Sequence, residues 1–425
     1  MTINTIQRKN LILFTESFPF GKGEQFLETE IAYLERRFRE IILVPSVIDG
    51  PKRCTPESMR IELSLSQQIL NDYKMPKISR ITQSGMAAIN SVIFYKEAFS
   101  KPRSFTDPRI FIKIISYLAY AKRAQKWLLS YIDRSNVTLE NTLFYTYWLG
   151  PITMGLILAK SKFPAIKVIS RVHAWDLYEE RHTPPYLPFR QIIYDNIDQV
   201  FAISDHGKNY LTKYQNKDPN RFIVSRLGTN DPGFNTAYSK DGIFRIVSCS
   251  FLVPEKRINL LISGIRVLAE RRPKLSILWS HLGDGSLRSQ LEKEAKHNLP
   301  DSVIYNFHGM LSNKTVFEFY RENSIDVFIN VSKTEGIPVS IMEAQSCGIP
   351  VIATAVGGSP EIVNNKNGIL LESNPTPLNI ADALEEFVSS RNEILDKRIL
   401  SKSNWFLNYN ANLNYNKYCD ILFKL

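Results

Sequence analysis

Short runs of β-branched and aromatic residues alternate along this chain with longer stretches in which apolar positions recur every three or four residues. In the second half the short runs are "FRIVSCS", "LSILWSHLG", "SVIYNFHG", "IDVFINVS" and "IPVIATAV". Between them, "KRINLLISGIRVLAERR" and "GSLRSQLEKEAKHN" carry the helical period, and "TPLNIADALEEFVSSRNEIL" reads as one further helix. Buried strands alternating with helices of this length predict right-handed βαβ units and a parallel sheet. The first half repeats the theme with "NLILFT", "EIILVPS", "TLFYTY", "IKVISRV" and "QVFAIS". There "EQFLETEIAYLERRF" sets Phe26, Leu27, Ile31 and Leu34 on one helical face. A polar run, "GTNDPGFNTAYSKDG" from Gly228 to Gly242, reads as the linker. The expected fold class is α/β, with two doubly wound, Rossmann-like domains over residues 1–230 and 231–404. Two such sheets would face each other across a cleft, with ligands held beyond the carboxyl ends of the strands.

The 425 residues suffice for two domains, and 44% hydrophobic with 22% charged content fits a globular chain. No run approaches the roughly 20 apolar residues of a membrane span. "NLILF" is too short for the core of a signal peptide, so a cytoplasmic protein is expected. Cys54, Cys249, Cys347 and Cys419 lie far apart, which argues against a zinc cluster or a disulfide framework and for reduced, mostly buried thiols. The formal charge of +11 sits almost wholly in one half: residues 1–231 hold 32 Lys/Arg against 22 Asp/Glu. Such a half suits an anionic partner, whether a membrane surface, a phosphorylated lipid or a nucleic acid, though ordinary surface charge also explains it. Within it, "DPRIFIKIISYLAYAKRAQKWLLSY" starts at Pro108 and carries an apolar stripe (Ile110, Ile114, Ile115, Leu118, Trp127, Leu128) beside Lys113, Lys122, Arg123 and Lys126. A basic amphipathic helix of this kind either lies on an anionic membrane or covers the sheet.

The chemistry-bearing motifs follow strands. "SKTEGIPVSIMEAQSCGIPVIATAVGG" comes after "IDVFINVS" and sets Glu335 and Glu343 eight positions apart. Gly336, Ile337 and Pro338 make a turn into a helix whose first amides suit a phosphate, and ionised carboxylates suit hydroxyl groups. Two surface acids flanking a structural turn would give the same spacing. "SFLVPEKRINLLI" places Lys256 and Arg257 at a helix start, where two cations neutralise a diphosphate or simply face solvent. "HLGDGSL" lacks the third glycine of a dinucleotide fingerprint. "FPFGKGEQFLETE" is a Gly-rich loop opening a helix, and "SRVHAWDLYEERH" puts His173 and Asp176 just past a strand. His182, Asp205 and His206 have weaker claims. No serine nucleophile elbow, metal-binding HExxH helix or nucleic-acid module is present.

In combination, "EGIPVSIMEAQSCGIPVIATAVGGSPEIVNNKNGILL" resembles the donor-binding signature of glycosyltransferase family 4, retaining nucleotide-sugar enzymes of the GT-B fold. "CSFLVPEKR", "HLGDGSL" and "FINVSKTEGIPVSIMEA" are most similar to the bacterial exopolysaccharide subgroup of amylovoran and colanic acid biosynthesis. The resemblance implies a catalytic set of His173, Glu335 and Lys256. Glu343 would hold the nucleotide ribose, and Glu335 the hydroxyls of the donor sugar. Amides of Gly336, Ile337 and Val339 would face sugar and phosphate, and Lys256 the diphosphate. Gly21 and Gly23 would let the first loop approach the donor phosphate or the acceptor. Backbone near Met310 would meet the base, and Glu361 would organise the phosphate-side loops. Asp176 and Glu24 would position acceptor or sugar. Residues 1–230 become the acceptor domain and 231–404 the donor domain, with a final helix, about 405–425, packing back onto the first. One departure stands out: where many relatives carry an arginine on the diphosphate, this chain has Phe251, between Ser250 and Leu252, and Arg257 is the candidate replacement.

The implied reaction moves a hexosyl unit from a nucleotide sugar, a UDP-sugar before a GDP-sugar, to a lipid-linked oligosaccharide or other glycan acceptor. It retains anomeric configuration and needs no metal or other cofactor, because positive groups already face the leaving diphosphate. A polyprenyl-diphosphate acceptor would bring the protein to the inner face of the cytoplasmic membrane, peripherally and without nucleic acid. An epimerase or phosphorylase on the same fold, or a non-catalytic scaffold, are the competing expectations.

Overall fold

A computed structural model describes residues 9–425, apart from 22, 25, 77, 80–81, 83–84, 87, 89, 213–218 and 390. The chain divides into two compact units. The first comprises the described residues up to Ile203, with Gly207–Ser225 and Asn416–Leu425; the second comprises Ser204–His206 and Arg226–Tyr415.

The first unit is built on a seven-stranded sheet of β1 (Asn10–Thr15), β2 (Ile41–Pro45), β3 (Met59–Ile61), β4 (Thr142–Thr146), β5 (Lys167–Val172), β6 (Gln199–Ala202) and β7 (Phe222–Val224). Its order is β3-β2-β1-β4-β5-β6-β7, and every pairing is parallel. The second unit repeats the arrangement with β8 (Ile243–Cys249), β9 (Ser276–Leu282), β10 (Val303–Phe307), β11 (Val327–Asn330), β12 (Val351–Thr354) and β13 (Gly368–Leu371), in the order β10-β9-β8-β11-β12-β13, again all parallel. Both sheets are doubly wound: strand order reverses between β1 and β4, and between β8 and β11. The central strands are buried throughout, which is why they read as continuous apolar runs rather than as alternating ones. The edge strand β10 alternates instead. The three-residue strands β3 and β7 are too brief to stand out in the sequence as runs of their own.

The helices bury the faces that their periodicity foretells. Ile258–Arg271 turns Ile258, Leu261, Ile262, Ile265 and Leu268 inward. Leu27–Arg37 buries Leu27, Ile31 and Leu34. The expected single helix over "TPLNIADALEEFVSSRNEIL" is Pro377–Ser389 followed by Arg391–Tyr409. The basic segment forms Pro108–Arg134, and its stripe of Ile110, Ile114, Leu118, Trp127 and Leu128 lies in the core of the first unit. That stripe covers the sheet and is not available to a membrane. Of its cations, Lys113 donates to the Tyr186 carbonyl at 2.8 Å and Arg123 pairs with Asp72.

The polar run from Gly228 to Gly242 is no free tether. Thr236 donates through its hydroxyl to the Tyr320 carbonyl at 2.9 Å and through its amide to Cys347 at 2.9 Å, and Ser239 is held by Asp326. Its polar residues are the bonds that fasten it along the second unit. Trp405 donates its indole N–H to Thr229 at 2.7 Å, and Asn414 donates to the Leu227 carbonyl. These bonds carry the second unit back to Arg226 and on to Tyr415, past the limits of 231 and 404 expected from sequence. The last helix, Ala411–Lys424, starts at Ala411 rather than near 405, and only its residues from Asn416 onward belong with the first unit. There Tyr418 lies under the guanidinium of Arg171, 4.2 Å from its ring centre. Arg171 and Glu30 form a fully buried ion pair at 2.5 Å, and Tyr145 donates to the same carboxylate. Cys347 and Cys419 are buried and Cys54 is exposed; all four cysteines are free.

Candidate functional site

In the second unit, the loops after β8 and β11 leave the sheet at its reversal point. The first carries Lys256 at the end of a short 3-10 turn, Pro254–Lys256; the second carries Glu335. The Lys333 amide donates to the Glu255 carbonyl at 2.7 Å and ties the two loops together. Lys256 Nζ then meets Glu335 Oε1 at 2.5 Å, and the Asn330 amide donates to the same oxygen at 3.2 Å. Asn330, at the end of β11, also accepts from the Ser332 amide. Thr354 at the end of β12 donates to the Ser332 carbonyl at 2.6 Å. The carboxylate is thus held by a cation and a buried amide at the rim of the sheet.

The turn Gly336–Pro338 leads into the helix Val339–Ser346. Among the described residues, no hydrogen bond uses the amides of Gly336, Ile337 or Val339 as donors. They are the orphan donors of a helix start, beside an ammonium group. The loop is clamped from behind, where the Gly358 amide donates to the Gly336 carbonyl at 2.6 Å. Gly357 has φ +53, and a Cβ there would lie 2.1 Å from the Glu335 carbonyl oxygen. Only glycine allows this approach.

Glu343 sits one helical stretch further on. Asn313 donates to it at 2.5 Å, and burial pushes its carboxyl up to about 7, with the Asn313 bond pulling the other way. Met310 is exposed, in the loop whose Gly309 carbonyl receives the Gly283 amide at 2.9 Å. Glu361 accepts from the amides of Asp205 (2.9 Å) and His206 (2.7 Å), with Arg226 at 3.6 Å, all within the second unit.

Arg257 stands apart from this group in its bonding. Its backbone is left-handed, with φ +50. Its guanidinium donates to the carbonyls of Val331 (2.6 Å), Ser332 (2.8 Å) and Ser373 (3.1 Å), and to Asn374 Oδ1 (3.3 Å). The side chain holds the roots of the loops after β11 and β13. Phe251 is exposed and Leu252 buried.

In the first unit, the candidate residues gather at the corresponding strand ends. Asp176 accepts from the His173 amide at 2.6 Å and from the Leu149 amide at 2.7 Å, joining the loop after β5 to the loop after β4. Burial raises its carboxyl to about 6 against those bonds. The His173 imidazole is buried, stacked with Phe26 at 5.5 Å and packed by Tyr147 at 4.8 Å and Trp148 at 4.5 Å. Among the described residues, neither ring nitrogen has a hydrogen-bond partner. Burial, and then the charge of Arg171, hold its pKa well below the usual histidine value, so the ring is neutral. A buried imidazole without partners among the described residues is unusual in a folded protein.

Glu24, expected to position acceptor or sugar, is bonded within its own loop and to the loop after β4. Its carboxylate accepts from the amides of Glu16, Ser17 and Phe18 and from Trp148 Nε1, at 2.7–2.9 Å, so its bonds shape the Gly-rich loop. Gly21, with φ +62, brings that loop against Asp49, where a Cβ would lie 2.7 Å from the carbonyl oxygen, and a Cβ on Gly23 would meet Ser17 Oγ at 2.9 Å. Asn330, Asn313, Gly357, Tyr147 and Trp148 were not singled out in the sequence, and Phe26 was read there only as part of a helical face. An asparagine at a strand end carries no distinctive spacing. The described residues contain no group of three or more His, Cys, Asp or Glu suited to a metal ion, and no helix long and apolar enough to cross a membrane.

Comparison with known proteins relates part of the chain to a family. Residues 237–403 match the family model described as glycosyl transferases group 1. An uncharacterized glycosyltransferase of Methanocaldococcus jannaschii is 30% identical over 207 residues, 48% of this chain and 53% of that protein. A putative colanic acid biosynthesis glycosyltransferase of Salmonella typhimurium is 25% identical over 240 residues, 55% of this chain and 58% of its own length. The chain spans about half the length of the curated relatives it matches. Among solved structures, a lipopolysaccharide outer core galactosyltransferase in its apo form has a TM-score of 0.68 at 14% identity, covering 98% of this chain and 100% of the other. An Anabaena protein in complex with UDP and glucose has a TM-score of 0.61 at 15% identity, with the same coverage. The fold, two Rossmann-like units in one chain, is that of the GT-B glycosyltransferases.

Proposed function

We propose that this chain, whose residues 237–403 form a domain of the group 1 glycosyl transferases, moves a hexosyl unit from a nucleotide sugar to a glycan acceptor in the making of a cell-surface polysaccharide. The observation that carries the reading is the Lys256–Glu335 pair beside the unused amides of Gly336, Ile337 and Val339. A diphosphate needs cations and free N–H donors, and a hexose needs a fixed carboxylate within a few ångströms of them. Both are present on two loops of one sheet.

As the bond from the anomeric carbon to the diphosphate breaks, the sugar becomes cationic and charge collects on the leaving phosphate. Lys256 and the helix-start amides stabilise that charge, and because they are held before reaction they lower the barrier without reorganising. Glu335 orients the sugar hydroxyls, and Glu343 takes the ribose. A same-face attack, in which the departing phosphate accepts the acceptor's proton, retains configuration and requires no protein nucleophile. A neutral His173 suits positioning of the transferred sugar better than proton transfer. On this reading the reaction proceeds without a metal, and UDP-sugars are the first donors to try, since UDP occupies one neighbour of the same fold. The colanic acid relative and the basic first half favour a lipid-linked acceptor at an anionic membrane face.

Thermal stabilisation by a panel of UDP- and GDP-sugars tests the donor site, because a ligand at 100 times its Kd adds about 2.7 kcal/mol to stability. A shift with one donor that is lost in Lys256→Ala supports the reading. No shift with any donor returns the protein to a scaffold role.

A further inference from the structure

We propose that one corner of the first unit is a docking face for an anionic lipid bilayer, with Phe99 and Phe105 entering the headgroup layer. The proposal rests on the membrane location of the acceptor proposed above, but its surface is separate from the donor residues.

The corner is made by the helix Val92–Ser100, the turn Pro102–Phe105 and the start of the helix Pro108–Arg134. The first of these helices buries Phe94, Glu97 and Ala98 and turns Val92 and Phe99 to solvent. Phe99 is 69% exposed and Phe105 60%, with ring centres 5.5 Å apart. Ile112, at 63%, is exposed on the long helix, where the preceding Phe111 packs edge-on against Phe94 at 5.6 Å. Large apolar side chains that touch one another and still face water are the signature of an interaction surface.

The charges around the patch select its occupant. Lys96, Lys101, Arg103 and Arg109 are all exposed. Of the two acids in this stretch, Glu97 is turned inward, where it accepts from the Tyr186 hydroxyl at 2.5 Å and the Phe189 amide at 2.8 Å. Asp107 is taken by Arg109 at 2.8 Å. The patch therefore presents aromatic and aliphatic groups inside a positive rim. A second copy of this chain, docked face to face, would set like charges against like. An anionic bilayer satisfies both parts: its headgroups neutralise the rim, and its interface accepts aromatic rings. The long helix's own apolar stripe is used in the core, so the lipid contact falls to its first turn and the elements before it.

Flotation with phosphatidylcholine vesicles, with and without phosphatidylglycerol, tests the surface. The wild-type chain should float with the anionic vesicles at low salt and come off as salt rises. Phe99→Ser with Phe105→Ser, and separately Lys96→Glu with Arg103→Glu, should each lower partitioning about tenfold or more, since each removes apolar contact or attraction. UDP-induced stabilisation should be unchanged in both, which separates failure of the lipid face from failure of the donor site. Phe105→Trp with brominated lipids supplies a readout that does not need a disrupted patch: quenching of the added tryptophan is expected. A wild-type chain that does not float, a serine double variant that floats as well as wild type, or an unquenched tryptophan at 105 would overturn the proposal.

Discussion

Lys256 and Glu335 lie 79 positions apart in the chain and 2.5 Å apart in the structure, nitrogen to oxygen. The contact is made by two loops leaving adjacent strands, β8 and β11. Both side chains retain some exposure, 20% and 10%, so a ligand can reach the pair without unfolding anything. Glu335→Ala and Lys256→Ala should each keep the fold while lowering kcat/KM by about 100-fold or more, the scale of a lost transition-state contact. Steady-state transfer assays beside melting curves check this. Full activity in both variants would remove these residues from the site.

With its carboxyl pushed up to about 7 by burial, Glu343 should make nucleotide binding depend on pH if it holds the ribose as proposed. Ribose hydroxyls bond best to the ionised form. A carboxyl with this value is about one-eleventh ionised at pH 6 and ten-elevenths at pH 8, so affinity should rise by up to about tenfold across that interval. The stability effect has the opposite sign. The folded state holds this proton more tightly than the unfolded chain does, so the Glu343 contribution to stability is lost as pH rises from the ordinary 4.5 through 7. Titrating UDP affinity by calorimetry at several pH values checks the first and melting curves over the same range the second, with Glu343→Gln alongside. In the variant the rise should flatten.

The parallel α/β architecture was legible because buried parallel strands advertise themselves: β1, β4, β11 and β12 are largely apolar, buried runs between amphipathic helices. The brief strands β3 and β7 lack that signal. The "linker" of Gly228–Gly242 misled because its polarity serves hydrogen bonds to the second unit, and polarity alone does not distinguish a bonded segment from a free one. At the site, Glu335 and Lys256 could be named from motif and resemblance, and the structure adds that they touch. Asn330 and Gly357, which fix the carboxylate and its carbonyl, act through pairings between distant loops that no local spacing encodes.

Arg257 fills the sequence position where a replacement diphosphate cation was expected, yet its guanidinium is bonded to the carbonyls of Val331, Ser332 and Ser373. An effect on the donor should then pass through the loops it anchors. Arg257→Ala should cost about 1–3 kcal/mol of stability, the range for charged hydrogen bonds partly open to solvent. Arg257→Lys separates charge from geometry, because an ammonium cannot span the same carbonyls as a planar fork. Donor affinity in the lysine variant should fall as far as in the alanine variant. If lysine restores it, the side chain acts as a charge on the diphosphate.

Gly357 is the sharpest test of how the second unit shapes its site. A methyl group there would lie 2.1 Å from the Glu335 carbonyl oxygen, which is backbone and cannot swing away as a side chain would. The residue also has φ +53, which alanine adopts only with strain. Gly357→Ala should therefore cost about 1–3 kcal/mol and displace the loop that presents Glu335 and the free amides. The consequence for function should exceed the consequence for folding: at a temperature where the variant is fully folded, donor-induced stabilisation and turnover should both fall at least tenfold, since displacements near 1 Å at a reacting centre carry costs of that size or larger. A variant that melts earlier but binds and turns over donor normally would show that the clamp between the loops after β11 and β12 serves the fold alone.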